Sequence, residues 1–347
     1  MAGFLSSVWH MAGWAHEVTD QALSRRLCGQ RILIFRKQDG TLAAMDDRCP
    51  HRFAPLSMGT RAGDVLTCGY HGLSFDAEGR CVRNPFADRI PTGASIRTYP
   101  VAERHGIVWY WPGDPAQADE AAIPDFSFFD TMPANRLLQG YTNMAAYYEY
   151  GTDNLMDLSH IEFVHKGSFG GAGVIFSGQH EVVEDGETLH SNWHMPDVPA
   201  PAYTTGIYLP DMRTDHWLNM RWNAPATMYL NIGATPAGSP REAGVIVDQA
   251  HILTPESEDT THYFWATTTA MPLETPEMAD QFRAFFAQAF DEEDKPIIEA
   301  AYGNVGHADF WQQKPVFLGI DAGGTRARRK LDALRKRETA GLELAAQ

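Results

Sequence analysis

Two short cysteine and histidine motifs are the first chemical signal in this sequence. Cys49-Pro-His51 and Cys68-Gly-Tyr-His71 form a C-x-H and a C-x-x-H pair, with sixteen residues between His51 and Cys68. Two thiolates and two imidazoles can hold a [2Fe–2S] cluster, with Cys₂ on one iron and His₂ on the other, and this ligand set raises the reduction potential. Zinc is the alternative, but zinc sites usually combine C-x-x-C or H-x₃₋₅-H pairs. The motifs therefore predict a Rieske cluster and one-electron chemistry.

A second candidate metal site lies in DNLMDLSHIEFVH, residues 153–165. A helix is expected over about 145–165, on which Asp157 and His160, three apart, share one face. His165 would point elsewhere on a regular helix, but Lys166-Gly167 is expected to end it, and unwinding there would return His165 toward His160. Two imidazoles and one carboxylate that leave open positions are the ligands of non-haem Fe(II) oxygenases. Surface or capping histidines are the alternative, although a one-electron donor needs an electron sink.

The third ligand is expected from a long amphipathic helix that begins at Thr275-Pro276, an N-cap followed by proline, and runs to about Tyr302. At about 100° per residue, Asp291 and Glu292 fall outside its apolar arc, whereas Glu293 and Asp294 fall inside it. A carboxylate that faces a core is costly unless it is paired or bound to metal. Helix phase alone leaves Glu293 and Asp294 as alternatives, and a solvated acidic patch is the other possibility. The residues that set the arc are Phe282, Phe286, Ala289, Phe290, Ile297 and Ala301.

The elements that must position these residues fall into two parts. Residues 31–111 contain short strand-like runs separated by Gly, Pro and Asp, which predict a small antiparallel β domain with both metal loops at one end. Further strand-like runs lie near 179–194, 216–234, 245–254 and 261–270, and helices follow them up to about 324–344. This order predicts an α+β fold in which helices cover one face of an antiparallel sheet. We expect domains at 1–115 and 141–347, joined by a linker at 116–140.

Composition excludes several partners. The net charge of −16 over 347 residues argues against nucleic acid. The sequence has no run of 18 or more apolar residues and no basic, apolar leader at its start, so we expect no membrane partner and a cytoplasmic location. One basic stretch, residues 326–337, carries seven cations in twelve residues. It predicts either a solvated helix face or, if Arg328 and Arg329 are exposed, a docking surface for an acidic redox partner.

Five motifs together resemble the oxygenase component of Rieske non-haem iron oxygenases over nearly the whole chain, and within that family the vanillate and dicamba O-demethylase-like branch. The resemblance implies an N-terminal Rieske domain, a C-terminal helix-grip-like domain and a homotrimer. It implies His160, His165 and Asp294 as ligands of a mononuclear iron. It also implies that Asp157 bonds a ring nitrogen of His160 and His71 of the partner subunit, because the two centres of one chain lie too far apart for electron transfer. The motifs are CPHR…CGYHGLSF, DNLMDLSHIEFVH, HILTPESE…HYFW, EEDKPIIEA and IDAGG.

The resemblance further implies that Asn231, His251 and Phe285 contact the substrate. Asn231 and His251 would grip a carboxylate or a phenol, while Phe285 stands where the related pattern has Trp and offers an aromatic wall without an N–H donor. The alternative is that Asn231 and His251 are satisfied polar groups inside the sheet. Asn154 is a further candidate for positioning substrate or oxygen.

The implied activity is that of a terminal oxygenase acting on a small aromatic substrate. Electrons from NADH would reach it through a separate flavin/iron–sulfur reductase, and the reaction would remove the methyl group of an aromatic methyl ether as formaldehyde. Other C–H oxidations, such as methyl or ring hydroxylation or N-demethylation, are the alternative. A pure electron-transfer protein would leave the whole second part of the chain unexplained.

Overall fold

The computed structural model describes residues 3–166, 168–170, 172–209 and 211–345; Gly167, expected to help end a helix, lies outside these ranges. The chain forms two compact units, one spanning Phe4–Ile123 and the other beginning at Pro124. The stretch 116–140, expected to be a linker, is thus divided between the units. It also packs, because Ile123 and Phe126 are buried.

The first unit is built from short antiparallel strands, as the sequence predicts. Its described residues form three sheets, with strand orders β1-β11-β10, β2-β3-β4-β9 and β5-β6-β7-β8. One core cluster of this unit includes Phe35, Met45 and Phe75 and extends to Cys49 and Cys68, so the cysteine loops are anchored in packed side chains. The strands are β1 His10–Trp14, β2 Leu23–Leu27, β3 Gln30–Arg36, β4 Leu42–Asp46, β5 Thr60–Ala62, β6 Val65–Thr67, β7 Ser74–Phe75, β8 Cys81–Arg83, β9 Thr98–Tyr99, β10 Val101–Arg104 and β11 Ile107–Tyr110.

The second unit contains one seven-stranded antiparallel sheet, in the order β12-β18-β17-β16-β15-β14-β13. Two of the predicted runs, 179–194 and 216–234, are each a hairpin of two strands, because a turn interrupts the alternating pattern. The first strand was missed by sequence reasoning, since it begins inside the stretch expected to be a linker. The strands are β12 Leu137–Met144, β13 Gln179–Asp185, β14 Thr188–Pro199, β15 Arg213–Asn223, β16 Thr227–Pro236, β17 Val245–Pro255 and β18 Thr261–Thr268.

The longer helices pack on one face of this sheet, which confirms the α+β fold class, and the four-residue helix Phe128–Thr131 lies on the other face beside Tyr229. Gly151 in the second helix packs against Leu253 of β17, where a Cβ atom would come within 2.8 Å of the leucine side chain. None of the helices in the described ranges is long and apolar enough to cross a membrane. The helices are α1 Phe128–Thr131, α2 Tyr148–Met156, α3 Ile161–Val164, α4 Pro276–Ala287, α5 Lys295–Val305 and α6 Ala322–Ala345, and the π-helix Gln288–Asp294 joins α4 to α5.

The π-helix corrects the predicted apolar arc of the long helix. Phe286, Ala289 and Phe290 are buried as predicted, but Phe282, before the π-helix, is 41% exposed. Beyond the π-helix, Ile297 is 53% exposed, and Ile298 is buried instead. A π-helix bonds i to i+5 and so inserts extra backbone into the turn, which shifts every later residue around the helix axis. A uniform rotation of about 100° per residue therefore fails beyond the insertion.

The C-terminal helix α6 corrects the proposed docking surface. Arg328 is 4% exposed, and its guanidinium binds Glu149 and Asp153 of α2 at 2.7 Å each. Arg335 also binds Glu149 and donates to Tyr148. Because buried charges need partners, these arginines hold α6 to α2 and do not face solvent.

Candidate cluster and iron sites

The two cysteine loops of the first unit are built alike. In the first loop, the N–H of Phe53 donates to the carbonyl of Cys49, and the N–H of Cys49 donates to the carbonyl of Ala54, both at 2.9 Å. In the second loop, Gly72 and Leu73 make the matching bonds with Cys68. Both turns need a left-handed residue, which Phe53 (φ 62°) and Gly72 (φ 74°) provide. The equivalent turns present the two cysteine and histidine pairs to one space.

The side chains of these loops fit a [2Fe–2S] cluster. Cys49 and Cys68 are 2% and 3% exposed, and the rings of His51 and His71 lie 4.4 Å apart, centroid to centroid. Nδ1 of His71 is buried and has no hydrogen-bond partner among the described residues, as expected of a nitrogen placed to bind a metal. All four cysteines of the chain are free thiols.

Backbone N–H donors also point at the Cys49 sulfur. Burial raises the pKa of the Cys49 thiol, and Cys68 raises it further. The backbone N–H groups of His51 and Arg52 act in the opposite direction by donating toward the Cys49 sulfur, which lowers its pKa. Hydrogen bonds to sulfur of this kind tune the potential of an iron–sulfur cluster.

In the second unit, Asp157 breaks the helix that was expected to be continuous. Helix α2 ends at Met156, and Asp157 leaves helical geometry with φ −118° and ψ 88°. Its carboxylate then caps a 3₁₀ turn by accepting from the N–H of Ser159 at 3.0 Å. Helix α3 follows and ends at Val164, so His165 lies past its last turn. The broken path brings the rings of His160 and His165 to 5.3 Å, centroid to centroid.

A carboxylate from the π-helix completes a group of three donors. One ligand atom from each of His160, His165 and Asp294 lies within 4.8 Å of the others. Nε2 of His165 is 3.2 Å from Asp294 Oδ2, and Nε2 of His160 is 3.5 Å from Asp294 Oδ1. Two imidazole nitrogens and one carboxylate on one side of an open space are the donor set of a non-haem iron site.

The opposite ring nitrogens are held by acceptors. Nδ1 of His160 donates to the backbone carbonyl of Asp157 at 2.5 Å, and Nδ1 of His165 donates to Glu293 Oε2 at 2.7 Å. These bonds leave both Nε2 lone pairs directed at the shared space, the arrangement that metal-ligating histidines adopt. Asn154 donates to Asp294 Oδ1 at 3.1 Å and so orients that carboxylate.

The π-helix separates the roles of the two adjacent acids that helix phase left open. Asp294 is buried and faces the Nε2 atoms of the two histidines. Glu293 lies on the far side of the His165 ring, where it accepts hydrogen bonds from His165 Nδ1 and from the hydroxyl of Ser168. Burial acts to raise the pKa of Asp294, but His165 and His160 outweigh it and lower that pKa. Asp294 is therefore ionised at neutral pH, as a metal ligand must be.

The carboxylate of Asp157 does not bond the ring of His160 within the chain, contrary to expectation. Its Oδ1 is occupied by the N–H and hydroxyl of Ser159, and the backbone carbonyl of Asp157 meets His160 instead. The reason is the 3₁₀ turn, which directs the cap side chain back along the backbone. Oδ2 of Asp157 has no hydrogen-bond partner within the part of the chain that the structure describes.

The three expected substrate residues do not converge. In the sheet register, Asn231 pairs with Asp248, whereas His251 pairs with Met228. Because alternate residues of a strand point to opposite faces, Asn231 lies on the face opposite to His251. Its side chain is occupied there by Trp217 and Asp248. Asn231 is therefore a polar group whose hydrogen bonds are satisfied within the sheet, which was the alternative to substrate contact.

His251 and Phe285 do lie on the side of the iron-site residues. The ring of His251 contacts Phe290, four residues before Asp294, at 5.6 Å between centroids. Phe285 packs edge-on against Phe169 at 4.9 Å, and Phe169 lies 5.5 Å from the ring of His165. A small cavity beside these aromatic rings is lined by Asn154, Tyr263, Phe290 and Asp294, among others.

Two residues that hold the loop after His165 were missed by sequence reasoning. Ser168 donates to Glu293 at 2.6 Å. Glu162, which is buried, accepts from the N–H groups of Gly173 and Ile175. The sequence offered one sign of the role of Glu162, which is an acid on the apolar side of a short helix. The spacing of residues gave no sign of the role of Ser168.

Comparison with known proteins follows the division seen in the fold. Residues 8–100 match the Rieske [2Fe-2S] domain, and residues 144–337 match the vanillate O-demethylase oxygenase C-terminal domain. The chain is 36% identical to the oxygenase component of chloroacetanilide N-alkylformylase from Rhizorhabdus wittichii, over 96% of this chain and 97% of that protein. It is 35% identical to the oxygenase component of dicamba O-demethylase from Stenotrophomonas maltophilia, over 97% and 99%.

The fold is similar to solved structures as well. The structure of dicamba monooxygenase bound to dicamba matches with a TM-score of 0.89 and 34% identity, over 98% of this chain and 100% of that one. A structure of the same enzyme with non-heme iron and dicamba matches with a TM-score of 0.82.

Proposed function

This chain belongs to the Rieske non-haem iron oxygenases that carry a vanillate O-demethylase oxygenase C-terminal domain, and from this premise we propose that it removes the methyl group of an aromatic methyl ether by oxidation. It is a Rieske-type oxygenase that uses a [2Fe–2S] cluster and a mononuclear non-haem iron. The observation that carries the proposal is the pairing of two donor sets, one suited to each centre, in one chain.

We assign each centre to its donor set. Support comes from the buried thiols with the unpartnered His71 nitrogen, and from the three converging donors of the second unit. When bound, the cluster supplies single electrons and the mononuclear iron supplies O₂ activation. The cluster ligands are Cys49, His51, Cys68 and His71, and the iron ligands are His160, His165 and Asp294.

The neighbouring side chains position these donors and exclude water. Glu293 fixes the ring of His165, and Asn154 fixes the carboxylate of Asp294. Phe285 and Phe290 provide an apolar wall, which favours an aromatic ring and keeps a reactive site dry.

The reaction balances with O₂, two electrons from NADH and two protons. One oxygen atom enters a methyl C–H bond of the ether, and the other leaves as water. The hemiacetal then breaks its methyl C–O bond and gives a phenol and formaldehyde. A flavin/iron–sulfur reductase is the proposed electron source, in keeping with relatives that are named as oxygenase components.

We further propose that electrons pass between subunits of a homotrimer, from His71 of the partner subunit to Asp157. Two features of the described residues support this route: Asp157 Oδ2 has no partner, and the cluster end exposes Tyr70 (63%) and Phe53 (61%) beside the histidines. Exposed apolar side chains around a redox group are typical of an interface.

Oxidative N-dealkylation is the second candidate function. It is favoured by the 36% identity to the N-alkylformylase component. It uses the same donor sets, since oxidation of the carbon beside nitrogen also ends in bond cleavage to a carbonyl product.

Iron analysis and a formaldehyde assay test the proposal together. The holoenzyme should contain about three iron atoms per chain, two of them in the cluster, whereas an electron carrier would contain two. Asp294→Asn should lose the third iron but keep the visible absorption of the cluster. With a reductase, NADH and methoxyaromatic compounds, formaldehyde should form in proportion to O₂ consumed. Oxidation of N-alkyl anilides without formaldehyde from any ether would favour the second candidate.

A further inference from the structure

The charge on the sheet face that looks toward the iron-site residues restricts the substrate. We call this face the helix face, and it bears Leu230, Gln249, His251, Tyr263 and Trp265. The register of β12 to β18 assigns every strand residue to one face or the other. The two arginines within these strands, Arg213 and Arg221, both fall on the opposite face. Among the described strand residues, no lysine or arginine thus lies on the helix face.

The positively charged side chains of the helices packed over this face are either paired with carboxylates or exposed to solvent. Arg328 and Arg335 are bound by the carboxylates of α2. Arg283 pairs with Asp280 of its own helix and is about half exposed, and Lys295 lies 3.9 Å from Glu299. Lys166 is exposed. Within the described ranges, none of these helices offers a free buried cation to a ligand.

His251, the expected polar grip, is occupied on both ring nitrogens. Its Nε2 donates to Gln249 Oε1 at 3.0 Å, because the Gln249 amide nitrogen is turned toward Thr267. Its Nδ1 then accepts from the hydroxyl of Tyr263 at 2.7 Å. Burial lowers the pKa of His251 to about 4, so the ring is neutral.

The other two histidines of the helix face are neutral as well. Nδ1 of His216 donates to the carbonyl of Gly233 at 2.8 Å, and burial lowers its pKa to about 4. Burial also lowers the pKa of His180, which is stacked on Trp193. The carboxylates of Asp294 and Glu293 together balance the two positive charges of an Fe(II) ion held at the site. An anionic ligand would therefore find no uncompensated positive charge near the site, which makes its burial unfavourable.

We propose that this oxygenase takes an uncharged aromatic ether or amide, and that it discriminates against aromatic carboxylates and sulfonates. The proposal rests on the proposed function for the site and deepens it by naming the substrate class. Leu230 is central to it, because it is the β16 residue paired with Gln249 on the helix face, next to His251. Its side chain is apolar, and the adjacent Asn231, which was expected to grip a carboxylate, lies on the opposite face.

Matched ligands that differ only in charge provide the test. The 2-, 3- and 4-methoxybenzamides and the corresponding methoxybenzoates are nearly the same shape, and the acids are ionised at about pH 7.5. Dissociation constants are measured on the iron-loaded holoenzyme by quenching of tryptophan fluorescence, and formaldehyde release is measured in parallel. We expect the amide of at least one pair to bind at least about tenfold more tightly than its acid.

Two adjacent substitutions on opposite faces sharpen the test. Leu230→Asn places an amide on the helix face and should reduce the ratio of acid to amide dissociation constants at least about threefold. Asn231→Thr keeps a hydroxyl for Trp217 on the other face and should leave the ratio unchanged. A ratio measured within one protein does not depend on how much of the sample is folded.

The outcomes separate this inference from the proposed function. Acids that bind as tightly as their amides, or amides that do not bind at all, overturn the inference. Formaldehyde released from the acids with full efficiency overturns it while supporting O-demethylation. Tight amide binding without formaldehyde from any ether supports the substrate class and overturns O-demethylation.

Discussion

Replacement of the buried Arg328 by methionine should strongly destabilise the second unit, whereas replacement of its neighbour Arg329 by alanine should not. The two residues are adjacent in α6, but Arg328 is buried and Arg329 is exposed. In Arg328→Met the Glu149 carboxylate, whose side chain is 7% exposed, would lose its 2.7 Å partner. Arg329→Ala removes an exposed guanidinium 5.7 Å from the ring of Trp311.

The expected loss of unfolding free energy follows from the carboxylates that stay buried after Arg328 is replaced. Removing one partner of a buried ion pair costs about 3–5 kcal/mol, and the low end of that range is expected here because Arg335 still binds Glu149. Loss of the guanidinium from the ring of Phe310, 3.9 Å away, adds about 0.5–2 kcal/mol. An exposed cation is worth about 0–1 kcal/mol, which is the expected cost of Arg329→Ala.

Urea unfolding followed by circular dichroism measures both variants. Glu149→Gln removes the buried charge, so the cost of Arg328→Met should be at least about 1 kcal/mol smaller in that background. Arg328→Met should also lower mononuclear iron content, because α2 carries Asn154, while the cluster absorption of the first unit persists. A cost of Arg328→Met below about 1 kcal/mol, or equal costs in both backgrounds, would refute the reasoning.

Three further predictions test the iron site and the sheet. Glu293→Ala should weaken Fe(II) binding about 10–100-fold in a metal titration, because His165 loses the acceptor that orients its ring. Glu293→Gln should recover most of the affinity. Equal affinity in the wild type and both variants would contradict this role for Glu293. Asp157→Asn should retain both metals, since an amide oxygen can still accept from Ser159, but should lower turnover about a hundredfold; wild-type turnover would exclude the electron bridge. His216 has a pKa of about 4 in the folded protein and 6.5 in the unfolded chain, so it is neutral when folded at neutral pH. Its contribution to the free energy of unfolding is therefore full above about pH 6.5 and is lost as the pH falls toward 4. The loss is at most about 1.4 kcal/mol per pH unit. His216→Gln should show a shallower loss of unfolding free energy between about pH 6.5 and 5, and an unchanged slope would count against burial as the cause.

Local motifs carried most of the chemistry that the sequence predicted. The cysteine and histidine pairs each lie on a single short loop, so spacing alone places the donors of a pair together. The same holds for the segment from Asn154 to His165, in which the ligand candidates are close along the chain. The strand and helix patterns also gave the α+β class, because alternation and helical periodicity are local properties of the chain.

Only the tertiary structure showed which way a side chain points where that orientation depends on distant segments or on a single inserted residue. The π-helix turned Asp294 toward the histidines and Glu293 behind them, and no regular periodicity contains such an insertion. The register of β16 set Leu230 on the helix face and Asn231 on the other, since one residue along a strand reverses its side. Burial of Arg328 depended on the approach of α2, some 175 residues earlier in the chain. Spacing fixes which atoms can meet within a loop or turn, whereas packing between distant segments fixes which way each side chain points.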